Sequence, residues 1–460
     1  MLLQTSKDRS VRSPGVVAAL AVALTLGCTP SAGEGGDASA GEASPTSSAP
    51  TAPTATDGAS TGDVTTGSSS TGGDAASGTG STTSASSFDT DATSGTEATQ
   101  GTGATEGTEG TEGTGGADQA LREELEAIVD KTGVPALGVA RLDGPELSVL
   151  AVVGARKLGD PTPALDGDAF HLGSCTKTMT ATMLALLVEE GSLSWDDTLE
   201  ASFPELSEVM HPSYADVTLE EILAHRGGLP ASLFDFPELH EALWEPGDPV
   251  VQRRALTASL LALPPETPPN TLAVYSNAGY MVVASAIEER LGIAWEELLV
   301  ELLVEPLAMD SCGLGTPASE GMVDAPWGHV PYDGELVAVP PGPGADNPPP
   351  YGPAARVHCN LEDWSRFVDV HRAGAAGSGE FLGEDSWERL HTDHGEGFGL
   401  GMLVAEDPQL GQILVMDGSN TTFYATFVVI PGDDRGLLAV ANAGPPAGQM
   451  ATGEALSKIF

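Results

Sequence analysis

Between Thr29 and Ala117 the chain is written almost entirely in Gly, Ser, Thr, Ala and acidic residues, with Pro near the start and Phe88 its only aromatic. A stretch so poor in large apolar side chains cannot offset the entropy of ordering its backbone, so it is expected to stay disordered. The Glu-Gly-Thr reiteration from Glu106 to Gly113 has too short a period for a solenoid. Whatever folds is therefore confined to the part of the chain after Ala117, about 340 residues, enough for one unit with a deep core. The net charge of −47 reads as a solvated acidic surface or as an attraction for cationic substrates, and it disfavours nucleic acid and anionic membranes as partners.

The N-terminus reads as a secretion signal. Lys7, Arg9 and Arg12 form a basic region, and Val16 to Leu26 is an apolar run of about eleven residues, too short to span a bilayer. It ends in Thr25-Leu26-Gly27-Cys28, which resembles a bacterial lipoprotein lipobox with Thr25 where Leu is usual. The resemblance implies lipidation of Cys28 and a lipid anchor in the cell envelope, on the periplasmic or outer surface; plain secretion is the alternative. The expected organisation is a signal peptide at 1–27, a tether at 28–117 and a catalytic domain at 118–460. A tether of about 90 flexible residues has an r.m.s. reach of roughly 50 Å.

Past Ala117 the pattern changes. Leu121, Leu125, Ile128 and Val129 recur at helical spacing up to Gly133-Val134-Pro135. Two β-type runs, Leu137–Leu142 and Leu147–Val153, flank the turn signal Asp143-Gly144-Pro145. A longer helix runs through Met179, Met183, Leu184, Leu187 and Val188 to Gly191. Asp196 to Val304 reads as mostly helical with Pro-rich interruptions, and Ala308 to Tyr351 as irregular. Four strand-like runs close the chain, Gly399–Ala405, Ile413–Met416, Phe423–Ile430 and Leu437–Ala441, followed by a helix over Gln449–Phe460. Strands at both ends and helices between predict an α+β fold, an antiparallel sheet flanked by helices with an inserted helical region.

The first chemical constellation is Phe170-His-Leu-Gly-Ser174-Cys-Thr-Lys177. A Ser and a Lys three apart at a helix start share a face, so the amine can reach the hydroxyl. A Ser hydroxyl is a poor nucleophile until a nearby base takes its proton, and a Lys serves as that base only when burial and the helix N-terminus favour its neutral form. Alone, the pair reads equally well as a surface Lys near a helix-capping Ser. The second constellation is Tyr275-Ser276-Asn277, a phenol and an amide two apart that point the same way on extended backbone. The phenol can relay a proton and the amide can hydrogen-bond a substrate carbonyl; alone, it reads as a buried Tyr and a capping Asn.

Together these resemble the penicillin-binding protein and serine β-lactamase superfamily, on its class C and esterase side. Further matches run in order through Gly191-Ser-Leu-Ser-Trp-Asp-Asp, Val217 to Pro230, Pro306-Leu-Ala-Met309, Pro326-Trp-Gly-His329 and Phe398-Gly-Leu-Gly401. The resemblance implies an acyl-enzyme on Ser174 with Lys177 as its base, Tyr275 assisting the proton transfers and Asn277 at the acyl side of the substrate. It also aligns Met416-Asp417-Gly418-Ser419-Asn420 with the family's third box. There Gly418 would allow a close backbone approach, and the N–H groups of Ser419 and Ser174 would form the oxyanion hole. The family has Lys or His where this chain has Met416, and a thioether can neither polarise the Tyr/Lys network nor hold a carboxylate. His225-Arg-Gly-Gly stands where His-Thr-Ser-Gly is common, a loop variation in which Arg226 gains a polar contact.

The expected function is thus a serine hydrolase acting on an ester, amide or peptide bond of a small-molecule or peptide substrate; the alternative is a catalytically impaired envelope binding or sensor module. No metal or organic cofactor is implied, and His391-Thr-Asp-His394 reads as an incidental His pair. With Cys28 acylated, Cys312 and Cys359 could form one bridge in an oxidising compartment or stay reduced.

Overall fold

Leu121, Leu125 and Ile128 share one helical face, and in the computed structural model, which describes residues 114–460 with side chains from Asp118 onward, their helix runs Thr114–Thr132. The basic N-terminal region, the Val16–Leu26 run, Cys28 and the tether up to residue 113 lie outside the described residues. The helix ends at Gly133, whose φ of +76° is a conformation glycine adopts without strain. Strands β1 (Ala136–Asp143) and β2 (Glu146–Gly154) form the expected hairpin around Gly144. The two-residue β3 (Phe170–His171) leads to the helix Thr176–Glu189. After the helical stretch come β4 (Gly313–Leu314), β5 (Gly328–Tyr332), β6 (Glu335–Val339) and β7 (Val357–Cys359). The chain closes with β8 (Leu403–Asp407), β9 (Gly411–Ser419), β10 (Tyr424–Ile430), β11 (Arg435–Ala441) and the helix Ala447–Ile459.

Six strands form one antiparallel sheet in the order β2-β1-β11-β10-β9-β8, so both ends of the folded region share a sheet and the helical region is inserted between them. The α+β expectation holds. The segment 308–351, expected to be irregular, instead contains β4 and the hairpin β5–β6, in which Pro331 lies opposite Leu336. A two-stranded hairpin tolerates proline because each strand has a free edge, and that proline masks the strand signal.

Every residue of β10 is buried, because both faces of the sheet are covered. Val428 and Ile430 pack with Leu125, Ile128, Leu456 and Ile459 of the two terminal helices. Phe427 and Val429 face the opposite core with Trp364, Phe367 and Val368, from the helix Leu361–Ala375. The helix Thr176–Glu189 lies inside this second core and is buried on every side from Thr176 to Ala185. Its neighbour Asn277–Leu291 is tied to the helix Pro249–Leu261 by fully buried Arg253, which bridges Glu288 and Glu296. Cys312 and Cys359 are disulfide-bonded, joining the turn before β4 to the end of β7.

Asp417, in the middle of β9, is buried beside the hydroxyls of Thr426 and Tyr424. Burial pushes its carboxyl up from 3.8 to about 6, against the pull of those hydroxyls. The unfolded carboxyl ionises near 3.8 and the folded one near 6, so stability is lost as pH rises through that interval and stays lower above it. The penalty at neutral pH is about 3 kcal/mol. Asp417→Asn should therefore raise the melting temperature at pH 7 and change it little at about pH 3.5. Thermal unfolding at the two pH values checks this, and an equal effect at both would contradict it.

Candidate active site

Leu172 follows β3 and donates its N–H to Val357 O at 2.8 Å, which fixes the end of that strand against β7. Gly173, at φ +51°, then turns the chain into a 3-10 turn, Gly173–Cys175, that runs directly into the helix Thr176–Glu189. Thr176 Oγ1 locks the turn, donating to Gly173 O at 2.7 Å while accepting from Val357 N at 3.1 Å. Ser174 is thereby held at the helix N-terminus, half-buried, one turn before Lys177.

Lys177 is fully buried. Its Nζ donates to Ser174 Oγ at 3.2 Å, to Asn277 Oδ1 at 2.6 Å and to Ala354 O at 2.8 Å. It also lies 4.8 Å from the centre of the Tyr275 ring. Tyr275 Oη is 2.7 Å from Ser174 Oγ. Ser174, Lys177, Tyr275 and Asn277 thus meet at one point, although the two motifs are about a hundred residues apart.

The local backbone of the second motif differs from the sequence expectation. Ser276, not Asn277, caps the helix Asn277–Leu291: its Oγ accepts from Gly279 N at 3.2 Å, and Asn277 is already helical. The phenol and amide converge because the chain changes from extended to helical between them. Ser276 Oγ also donates to Pro230 O at 2.6 Å, tying the motif to the loop after residue 225.

His225, in that loop, is a site residue that spacing does not single out, though it lies within the Val217 to Pro230 match. Its Nδ1 accepts the Ser276 N–H at 3.1 Å, and its ring packs 4.6 Å from the Tyr275 ring and edge-on to Phe398 at 5.1 Å. Burial, reinforced by the charge of Lys177, pushes its pKa down to about 3, so it stays neutral at physiological pH. Arg226 does gain a polar contact: it donates to Asn270 O at 2.7 Å and pairs with Glu396 at 3.2 Å. Ala354, the third partner of Lys177, contributes only a carbonyl, which leaves no trace in a sequence motif.

On the far wall is β9. Met416 is buried and, with His225, Tyr275 and Phe398, lines a cavity of about 10 Å³, room for one water. Gly418 lies so close to the nucleophile turn that a Cβ on it would sit 2.0 Å from Leu172 O and 2.8 Å from Ser174 N. Reciprocally, a Cβ on Gly173 would sit 2.3 Å from Ser419 N. Two glycine backbones in contact therefore bring the backbone nitrogens of Ser174 and Ser419 close together. Ser419 Oγ turns aside and donates to Phe423 O at 2.7 Å.

Among the described residues no group of three or more His, Cys, Asp or Glu side chains is placed to hold a metal. His391 Nε2 lies 3.0 Å from His371 Nδ1 in the core, whereas His394 Nε2 lies 2.8 Å from Arg389 O, so the two histidines of that pair serve different contacts.

A family model described as Beta-lactamase matches residues 121–458. Among curated proteins, the chain is similar to an unguisins hydrolase of Aspergillus campestris, with 27% identity over 257 residues, 55% of this chain and 46% of that one. It is also similar to penicillin-binding protein 4 of Amycolatopsis lactamdurans, with 25% identity over 297 residues, 61% of this chain and 74% of that one. The match spans less than half the length of the Aspergillus hydrolases, 46% and 31%. Among solved structures, a penicillin-binding protein homologue from Pyrococcus abyssi superposes with a TM-score of 0.60 at 19% identity, covering 74% of this chain and 77% of that one. The D-amino acid amidase of Ochrobactrum anthropi SV3 gives 0.59 at 18% identity, covering 74% and 97%. At these identities the structural likeness speaks for the fold alone.

The glycine contact yields a stability test. Gly418→Ala should cost about 1–3 kcal/mol, because a methyl group is forced against backbone that cannot move aside cheaply. Gly167→Ala, where nothing lies within 4 Å, should leave stability unchanged. Denaturant melts of the two variants compare them; equal stabilities would show the seam to be looser than described.

Proposed function

Because this chain belongs to the beta-lactamase family, we propose that it is a serine hydrolase that cleaves an ester, amide or peptide bond through an acyl-enzyme on Ser174. The observation that carries this is the convergence of Lys177 Nζ, at 3.2 Å, and Tyr275 Oη, at 2.7 Å, on a single hydroxyl oxygen. In the proposed cycle, Ser174 Oγ attacks the substrate carbonyl as neutral Lys177 takes its proton. The developing oxyanion is met by the N–H groups of Ser174 and Ser419. The intermediate collapses, the bond to the leaving group breaks, and the proton returns to that group through Tyr275. Water then attacks the Ser174 ester by the reverse relay and releases the acid. Asn277 gives its Oδ1 to Lys177, which leaves its NH₂ group to face the acyl side of the substrate.

Met416 bears on the substrate. The third-box position offers a thioether, and the imidazole beside it, His225, is held neutral, so neither supplies a charge to pair with a carboxylate. We infer that the substrate carries no carboxylate next to the scissile bond, which favours esters, amides and peptide amides over penicillins. The lipid anchor at Cys28 remains part of the proposal, and the Cys312–Cys359 bridge suits an oxidising envelope compartment.

Intact mass after exposure to a fluorophosphonate provides the test. The wild type should gain one adduct, Ser174→Ala none, and Lys177→Met should label more slowly by orders of magnitude. An unlabelled wild type would favour the binding-module alternative. For specificity, Met416→Lys should raise acylation by a carboxylate-bearing penicillin relative to a neutral ester. An unchanged ratio, measured by competition labelling, would remove Met416 from the specificity argument.

A further inference from the structure

The two donors facing the proposed oxyanion come from segments far apart in the chain, and they meet along a seam of two glycines, Gly173 and Gly418. A glycine seam permits close approach but offers no side chain to fix the register. Something flanking it must do so. Asp346, which follows a 3-10 turn at Pro343–Ala345, is placed for that.

The Asp346 side chain is almost completely buried, at 2% exposure. Its Oδ1 lies 2.9 Å from His171 Nε2, a close contact with imperfect hydrogen-bond alignment, and accepts from Asn420 Nδ2 at 3.0 Å. Its Oδ2 accepts from Arg356 Nε at 3.1 Å. His171 and Asn420 are the residues just outside the seam on its two sides. On the nucleophile side, His171 Nδ1 accepts the N–H of Gly173 at 3.0 Å, which leaves the proton on Nε2, facing Asp346. On the third-box side, Asn420 Oδ1 accepts from Thr422 N at 3.1 Å, Thr422 Oγ1 at 3.0 Å and Phe423 N at 3.0 Å, fixing the turn after Ser419. Arg356 closes the ring, since the next residue, Val357, holds Leu172 through its carbonyl. Against the burial that would raise it, His171, Arg356 and Asn420 hold the Asp346 carboxyl down to about 2, so it is ionised at every pH of interest.

We propose that Asp346 is a positioning residue that clamps the nucleophile turn to the third-box turn through His171 and Asn420, and so sets the spacing of the Ser174 and Ser419 N–H groups. This rests on the acyl-transfer function proposed above. A buried ionised carboxylate with several donors makes stiff contacts in a low-dielectric surrounding. A shift of a few tenths of an ångström at either donor weakens oxyanion stabilisation without touching Ser174, Lys177 or Tyr275.

The test compares labelling of Ser174 by a fluorophosphonate and by its P=S analogue. The phosphoryl oxygen enters the oxyanion hole, whereas the larger, poorly accepting sulfur gains little from it. Asp346→Asn should slow labelling by the P=O reagent at least tenfold and by the P=S reagent less than threefold, so that the rate ratio falls. A variant that is merely less folded would lose both rates equally. An unchanged ratio, whether both rates fall together or neither falls, would overturn the inference. Should Asp346→Asn not fold, His171→Leu and Asn420→Ala each cut one arm of the clamp and report the same ratio. A wild type that neither reagent labels would overturn the acyl-transfer proposal and this inference with it; a reactive wild type with an unchanged variant ratio overturns the inference alone.

Discussion

The structure is organised around a helix that has no solvent-facing side at its N-terminal end. Thr176 to Ala185 is buried throughout, yet it carries Thr178, Thr180, Thr182 and Lys177. In such surroundings each polar group left without a partner costs about 1–3 kcal/mol, so the surrounding chain has to supply acceptors. Thr178 Oγ1 donates to Gly401 O at 2.5 Å, Thr180 Oγ1 to Pro353 O at 2.7 Å, and Thr182 Oγ1 lies 3.0 Å from His371 Nε2. Lys177 is served by Asn277 and Ala354. These partners come from widely separated segments, and meeting the polar demand of this one helix brings together the walls of the site.

That arrangement explains what can be read from the sequence and what cannot. The β1–β2 hairpin and the helices at the two ends are legible, because glycine punctuation and apolar periodicity are local signals. So are Ser174, Lys177 and Tyr275, whose spacing within ordered motifs carries chemistry. The β5–β6 hairpin is hidden by its proline, whereas the helix Leu361–Ala375, which covers a face of the sheet, is marked by Leu361, Trp364, Phe367 and Val368 at helical spacing behind a capping Asn360. Ala354 acts through a carbonyl and Asp346 through its burial among distant partners, and neither property is written in a neighbouring residue. Asn277 is identifiable by its amide but not by its local backbone, because the cap at Ser276 reads as part of an extended segment.

Electrostatically, the candidate site differs from its surroundings. The molecule carries a net charge of −47, but the groups around Ser174 are a buried amine, a phenol, an amide, a neutral imidazole and a thioether. Asp417, one residue beyond Met416 on β9, also borders the cavity that Met416 lines, but its buried carboxyl lies beside Thr426 and Tyr424. Among the described residues, the acidic surplus is therefore carried mostly outside the candidate site.

The disulfide has a topological consequence. Cys312 and Cys359 are 47 positions apart, and the segment they enclose contains Asp346, Ala354 and Arg356. The carboxylate at the seam, the carbonyl beneath Lys177 and the guanidinium that holds the carboxylate all belong to one covalent ring. In the chain-entropy description a ring of this size removes about 4 kcal/mol of conformational freedom from the unfolded chain. The ring needs no information from the rest of the fold to stay closed. The segment, which carries the β5–β6 hairpin between Gly- and Pro-rich turns, thus keeps its two ends joined when the molecule unfolds.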